Sequence, residues 1–193
     1  VTALVVGMQP LLTALGAGWL LGEQVSGRQW GGLALGFVGV GLVVSGKFGE
    51  AALGPMLIPA LVALLGITAG TLYQKRFCAK FDLRTGSVIQ FVPTAIVTAI
   101  AIVLFEDFHV EWTGQFTFAL GWLVLVLSIG AISLLNLLIR SGSAVNVASL
   151  FYLTPLSTAL IAWAIFGEKL TLTAAVGMAL AVSGVYLVAR PAK

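Results

Sequence analysis

The sequence predicts an all-α polytopic membrane protein, and three observations predict it. Hydrophobic residues fill 60% of the 193 positions and charged residues only 9%, with a mean hydropathy of +1.09. A soluble domain carries about 25% charged side chains, so this chain has too few to cover a water-facing surface. Seven stretches without Asp, Glu, Lys or Arg reach 18 residues or more: 1–22, 29–46, 51–74, 85–105, 112–139, 141–167 and 170–189. Roughly 20 apolar residues take a helix across the hydrocarbon core. The runs are continuous, without the alternation over about ten residues that marks a membrane β-barrel strand. Helices satisfy their backbone groups internally, as lipid demands.

The first run, 1–22, holds Gln9-Pro10 inside it and closes on Gly22-Glu23. The second, 29–46, follows Ser26-Gly27-Arg28-Gln29, which has capping-box spacing, and is dense in glycine, with Gly32, Gly36 and Gly39 among others. The third, 51–74, carries Thr68, Thr71, Tyr73 and Gln74 in its later half. The fourth, 85–105, has Gln90 near Pro93, and the fifth, 112–139, has Ser128, Ser133 and Asn136. The sixth, 141–167, passes Asn146, then Tyr152, Thr154 and Pro155, and ends on Gly167-Glu168; the seventh, 170–189, contains Gly177 and Gly184. Small residues spaced this way let helices approach closely in lipid. Trp30 and Trp112 lie near span ends, where tryptophan sits at the membrane interface.

Charge sets the orientation. Connectors on one side carry Arg28, Lys75, Arg76, Lys80, Arg84, Arg140, Arg190 and Lys193; those on the other carry only Lys47 and Lys169. The positive-inside rule places the first set, and the C-terminus, in the cytoplasm. The connector with Glu106, Asp107, His109 and Glu111 is then external. The net charge of +3 is a topology signal and not a nucleic-acid patch. The lone cysteine, Cys78, excludes an intrachain disulfide.

The chain repeats itself. Residues 1–47 align without a gap on 146–192, an offset of 145, with 16 identities. Pro10 falls on Pro155, Gly22-Glu23 on Gly167-Glu168, Gly32 on Gly177 and Gly39 on Gly184. Glu23 ends the first span and Glu168 the sixth, so five crossings invert the second copy. Inverted repeats are common in secondary transporters. The second copy is preceded by three further spans and the first by none. The expectation is that about 90 upstream residues and three spans belong to the complete molecule, giving ten spans in a 5+5 arrangement. Residues 1–47 would be the last two helices of the first repeat, and 48–193 the complete second repeat.

The paired blocks, Pro10 to Gly39 and SLFYLTPLSTALIAWAIFGEKL with GMALAVSGVYLV, resemble the EamA family of the drug/metabolite transporter superfamily. The resemblance implies a ten-helix inverted-repeat bundle that alternates access to a central cavity. It also implies export of amino acids or related small metabolites across a bacterial inner membrane. It names no single substrate.

Matched prolines remove a helix hydrogen bond at corresponding places, which suits a central site lined by interrupted helices. Candidate substrate-binding residues are therefore Gln9, Pro10, Tyr73, Gln90, Asn136, Tyr152, Thr154 and Pro155. The bland alternative is that these polar side chains bond neighbouring helices. Glu23 and Glu168, at matched helix ends, are candidate gating residues; the alternative gives Glu23 to the start of the next helix. No catalytic, metal-binding or cofactor-binding constellation is visible, nor a glycine-rich phosphate loop with lysine, and no span carries an ionisable residue. Gradient-driven transport is the leading reading. A non-transport membrane module, receptor or assembly subunit, stands second, and a membrane-embedded enzyme last. Substrate, coupling ion and oligomeric state are not encoded in these motifs.

Overall fold

The computed structural model describes residues 5–45, 57–78, 82–106 and 110–190. Lys47, Lys80, Asp107, His109 and Lys193, used in the topology reading, lie outside these, as does the repeat boundary at 47/48. The described residues are helical, with no strand among them. Seven helices follow in chain order. α1 runs Gln9–Gly16 and continues as a π-helical turn over Ala17–Leu21. α2 is Gly27–Ser45, α3 Leu57–Phe77 and α4 Leu83–Phe105. α5 is Gly114–Ser141, α6 Ala144–Phe166 and α7 Leu172–Ala189.

Five helices, α3 to α7, are long and apolar enough to cross a membrane. α2 has 19 residues but carries Arg28-Gln29 in its first turn and spends several positions on glycine, which dilutes its hydropathy. α1 is described only from Gln9.

The surface and the interior exchange the roles they have in water. Large apolar side chains such as Trp19, Val103, Leu104, Phe118 and Ile165 are exposed, while Gln9, Thr13, Thr68, Thr71, Asn136 and Ser149 are buried. An apolar exterior this extensive needs a lipid solvent. Buried hydroxyls bond backward along their own helices: Thr68 donates to the Leu64 carbonyl at 2.7 Å and Thr71 to that of Ile67 at 2.8 Å.

The chain forms two compact units. One comprises Val1–Arg76 and Gly142–Lys193, the other Phe77–Ser141. In the first unit the most extensive helix contact is a seam between α2 and α7. These helices lie in the two aligned segments of the sequence, 1–47 and 146–192, and run antiparallel. A Cβ on Gly32 would lie 2.7 Å from the Gly184 carbonyl oxygen, and one on Gly184 2.6 Å from the Gly36 nitrogen. A Cβ on Gly39 would lie 2.6 Å from the Gly177 oxygen, and one on Gly177 2.6 Å from the Gly39 oxygen. Backbone thus meets backbone, which only glycine permits. The pairing is reciprocal: each glycine of one copy faces the counterpart of the other glycine.

In the second unit, Asp82 accepts from the Thr85 amide at 3.4 Å at the start of α4, and Thr113 caps α5 by accepting from the Phe116 amide at 3.1 Å. α4 continues through Pro93, where Thr94 donates to the Gln90 carbonyl at 2.7 Å. α5 widens into a π-helix over Leu123–Ala131 between two α-helical ends. Trp112 packs edge-on against Phe116 with centroids 5.5 Å apart.

Candidate functional site

Both copies of the repeat break their helix at the same place. Ahead of Pro10 the chain turns at Gly7-Met8, and the Met8 amide donates to the Val5 carbonyl at 3.0 Å. Ahead of Pro155 a 3₁₀ turn spans Leu150–Tyr152, and the Leu153 amide donates to Leu150. Met8 and Leu153 occupy matched positions, as do Val5 and Leu150. Both bonds are i→i−3, the tighter pattern that marks local interruption of an α-helix. Pro10 was expected to kink a span from within. It instead begins the helix that follows the turn, at a position where its missing N–H costs nothing. Pro155 lies three residues into the α-helix that follows its turn.

Polar groups gather at these breaks. Gln9 and Tyr152 are fully buried, and neither the Gln9 amide nor the Tyr152 hydroxyl has a hydrogen-bond partner among the described residues. Thr13, one turn after Gln9, is also buried with its hydroxyl unpartnered. Sequence reasoning passed over Thr13, although it recurs as Thr158 in the second copy and shares a face with Gln9. The Tyr152 ring lies where a Cβ on Gly36 would be, so that glycine makes room for it. α1 packs along the Ala144–Ser149 segment of α6, bringing the two broken helices together.

The other expected residues are dispersed. Thr154 is exposed, Pro155 half-buried and Pro10 buried. Tyr73 is exposed on α3. Gln90, exposed, and Asn136, buried, belong to the second unit. Among the described residues no three His, Cys, Asp or Glu side chains are grouped to hold a metal.

The matched Gly-Glu pairs close their helices identically. Gly22 and Gly167 take φ of 67° and 66°, the left-handed conformation that ends helices and favours glycine. The next amide folds back six residues in each case, Glu23 to Ala17 at 3.2 Å and Glu168 to Ala162 at 3.4 Å. The carboxylates then differ. Glu23 accepts from the Ala144 amide at 3.1 Å and so serves the start of α6, not that of α2 as its sequence position suggested. Glu168 is exposed and lines a cleft of about 100 Å³ with Val43, Ala159, Lys169, Leu170, Thr171 and Ala174. The start of α2 is closed by its own capping box, the Gln29 side chain accepting from the Ser26 amide at 2.9 Å and Ser26 Oγ from the Gln29 amide at 3.3 Å. Ser26→Ala is expected to cost about 1 kcal/mol, a fall in melting temperature of about 2–4 °C at this size, measured on protein in detergent.

Cations collect at this same end. Arg28 donates to the Arg190 carbonyl, Arg76 to that of Leu20, and Lys75 to that of Gly142 at 2.5 Å. Each carbonyl lies at a helix C-terminus, where the backbone dipole favours positive charge. In the structure these side chains tie helix ends together.

The family model described as "EamA-like transporter family" matches residues 54–190. The "Uncharacterized transporter YvbV" of Bacillus subtilis (strain 168) is 29% identical over 197 residues, which is 95% of this chain and 61% of that protein. A solved structure described as "Crystal structure of protein" superposes with a TM-score of 0.81 at 22% identity, over 97% of this chain and 65% of that one. At that identity the likeness is one of fold. The chain spans less than two thirds of the length of either.

Proposed function

The chain belongs to the EamA-like transporter family, and from that premise we propose that it forms part of a secondary transporter exporting small polar metabolites such as amino acids. Transport proceeds by alternating access in a ten-helix inverted-repeat bundle, of which these seven helices are a part. The bundle lies in a bacterial inner membrane, and its basic end, with the C-terminus, faces the cytoplasm. One observation carries the reading: the seam in which Gly32 meets Gly184 and Gly39 meets Gly177. Reciprocal contacts of this kind are what an internal pseudo-twofold axis produces. Such an axis gives two-sided access a structural basis.

The solute is held by groups at the two helix breaks, with Gln9, Thr13 and Tyr152 supplying neutral donors and acceptors. Buried polar atoms without protein partners are costly, and a polar ligand or water offsets that cost. The full-length protein in proteoliposomes is expected to show counterflow for at least one member of a panel of labelled amino acids and small polar metabolites. Absence of counterflow across the whole panel overturns this reading.

A further inference from the structure

Three side chains from three parts of the fold converge on residues 142–146, two of them on the first turn of α6 and one on the residue pair before it. Glu23, in the turn after α1, accepts from the Ala144 amide at 3.1 Å. Gln29, on α2, donates to Asn146 Oδ1 at 3.3 Å. Lys75, on α3, donates to the Gly142 carbonyl at 2.5 Å. The segment they hold is short. Ala144–Ser149 is six residues of α-helix, followed at once by the 3₁₀ turn Leu150–Tyr152 and then by Pro155. A helix stub bounded by an interruption can turn about it without disturbing the helix beyond. Its inner face includes the buried Ser149, and its far end carries Tyr152.

Glu23 is the tie that meets the first amide of the half-helix itself. Its bond is charge-assisted, and it offers a negative charge to the positive end of the helix dipole. It is also the only described carboxylate residue that is not exposed. Its second oxygen is buried with no partner among the described residues, so its position rests on the bond to Ala144.

We propose that Glu23 is a positioning residue that clasps the Ala144–Ser149 half-helix of α6 shut, and that this half-helix, hinged at Leu150–Pro155, gates the basic end of the bundle. Naming it a gate rests on the transport reading above. The test needs no transported solute, so its failure is distinct from a failed counterflow panel. In a Cys78→Ser background in lipid nanodiscs, Ser149→Cys replaces a buried hydroxyl with a thiol of similar size. Its rate of labelling by a membrane-impermeant maleimide reports opening of the half-helix. Adding Glu23→Ala is expected to raise that rate about ten-fold, the worth of a charge-assisted hydrogen bond. Glu23→Gln keeps an acceptor oxygen but not the charge, and is expected to label at a rate between those of the parent and Glu23→Ala. Leu64→Cys, buried on α3 in a separate cluster with Val5 and Ala60, reports on the bundle as a whole and is expected to stay slow. An unchanged rate in Glu23→Ala overturns the proposal. So does Glu23→Gln labelling as fast as Glu23→Ala, or a parallel rise at Leu64→Cys.

Discussion

Gly184→Ala is expected to lower the melting temperature of the detergent-solubilised protein by about 5–10 °C, whereas Gly31→Ala leaves it unchanged or raises it. Both changes add one methyl group to a helix. At Gly184 that methyl lies 2.6 Å from the Gly36 nitrogen and close to the Gly32 carbonyl, both backbone atoms that cannot rotate away. α2 and α7 must part, and overpacking of this kind costs about 1–3 kcal/mol, at roughly 2–4 °C per kcal/mol for a chain of this size. At Gly31 nothing lies within 4 Å, and alanine gains up to about 1 kcal/mol of helix propensity. Thermal unfolding followed by fluorescence separates the two. Equal shifts for both variants would show that the seam is not the tight contact described.

Substitution at the helix breaks is expected to divide stability from transport. Gln9→Leu removes a buried amide that bonds no described residue, so the folded protein sheds a desolvation cost of about 1–3 kcal/mol and its melting temperature holds or rises. Counterflow of the solute identified by the panel is expected to fall at least about ten-fold, because a missing hydrogen bond to the solute has that worth. Tyr152→Phe is the companion change: it keeps the ring against Gly36 and deletes only the unpartnered hydroxyl. Tyr152→Ala is a poorer test, since loss of a buried ring costs about 3–5 kcal/mol by itself. A merely structural role for Gln9 gives the opposite pattern, a lower melting temperature with transport kinetics intact per folded molecule.

The sequence disclosed what is written over a few neighbouring residues. Charge-free runs located the helices, Ser26 and Gln29 announced their capping box, and Gly22-Glu23 and Gly167-Glu168 marked where two spans close. The repeat showed that Gly32 corresponds to Gly177 and Gly39 to Gly184. It did not show that they would pair crosswise, because that depends on the rotation and register of two distant helices. In water an amphipathic stripe reveals which face turns inward. In lipid the outward face is as apolar as the inward one, and that signal disappears. For the same reason the bond from Glu23 to Ala144, 121 residues away, was hidden behind a nearer candidate at the start of α2. Gln9 and Tyr152 were legible as polar exceptions in apolar runs. Their complete burial was not, nor was the π-helical stretch of α5, which no residue pattern announces.

The crosswise glycine seam bears on how the molecule tolerates mutation over time. Two identical copies of this segment, meeting as separate chains, would register any change at the position of Gly32 twice, once on each side of their shared axis. Joined in one chain, the copies are free to diverge, and a substitution at Gly32 strikes one crossing while Gly39 and Gly177 keep the other. Duplication thereby halves the damage of a single hit. Glycine stands at all four positions, among only 16 identities in 47, so both crossings of the seam keep backbone against backbone.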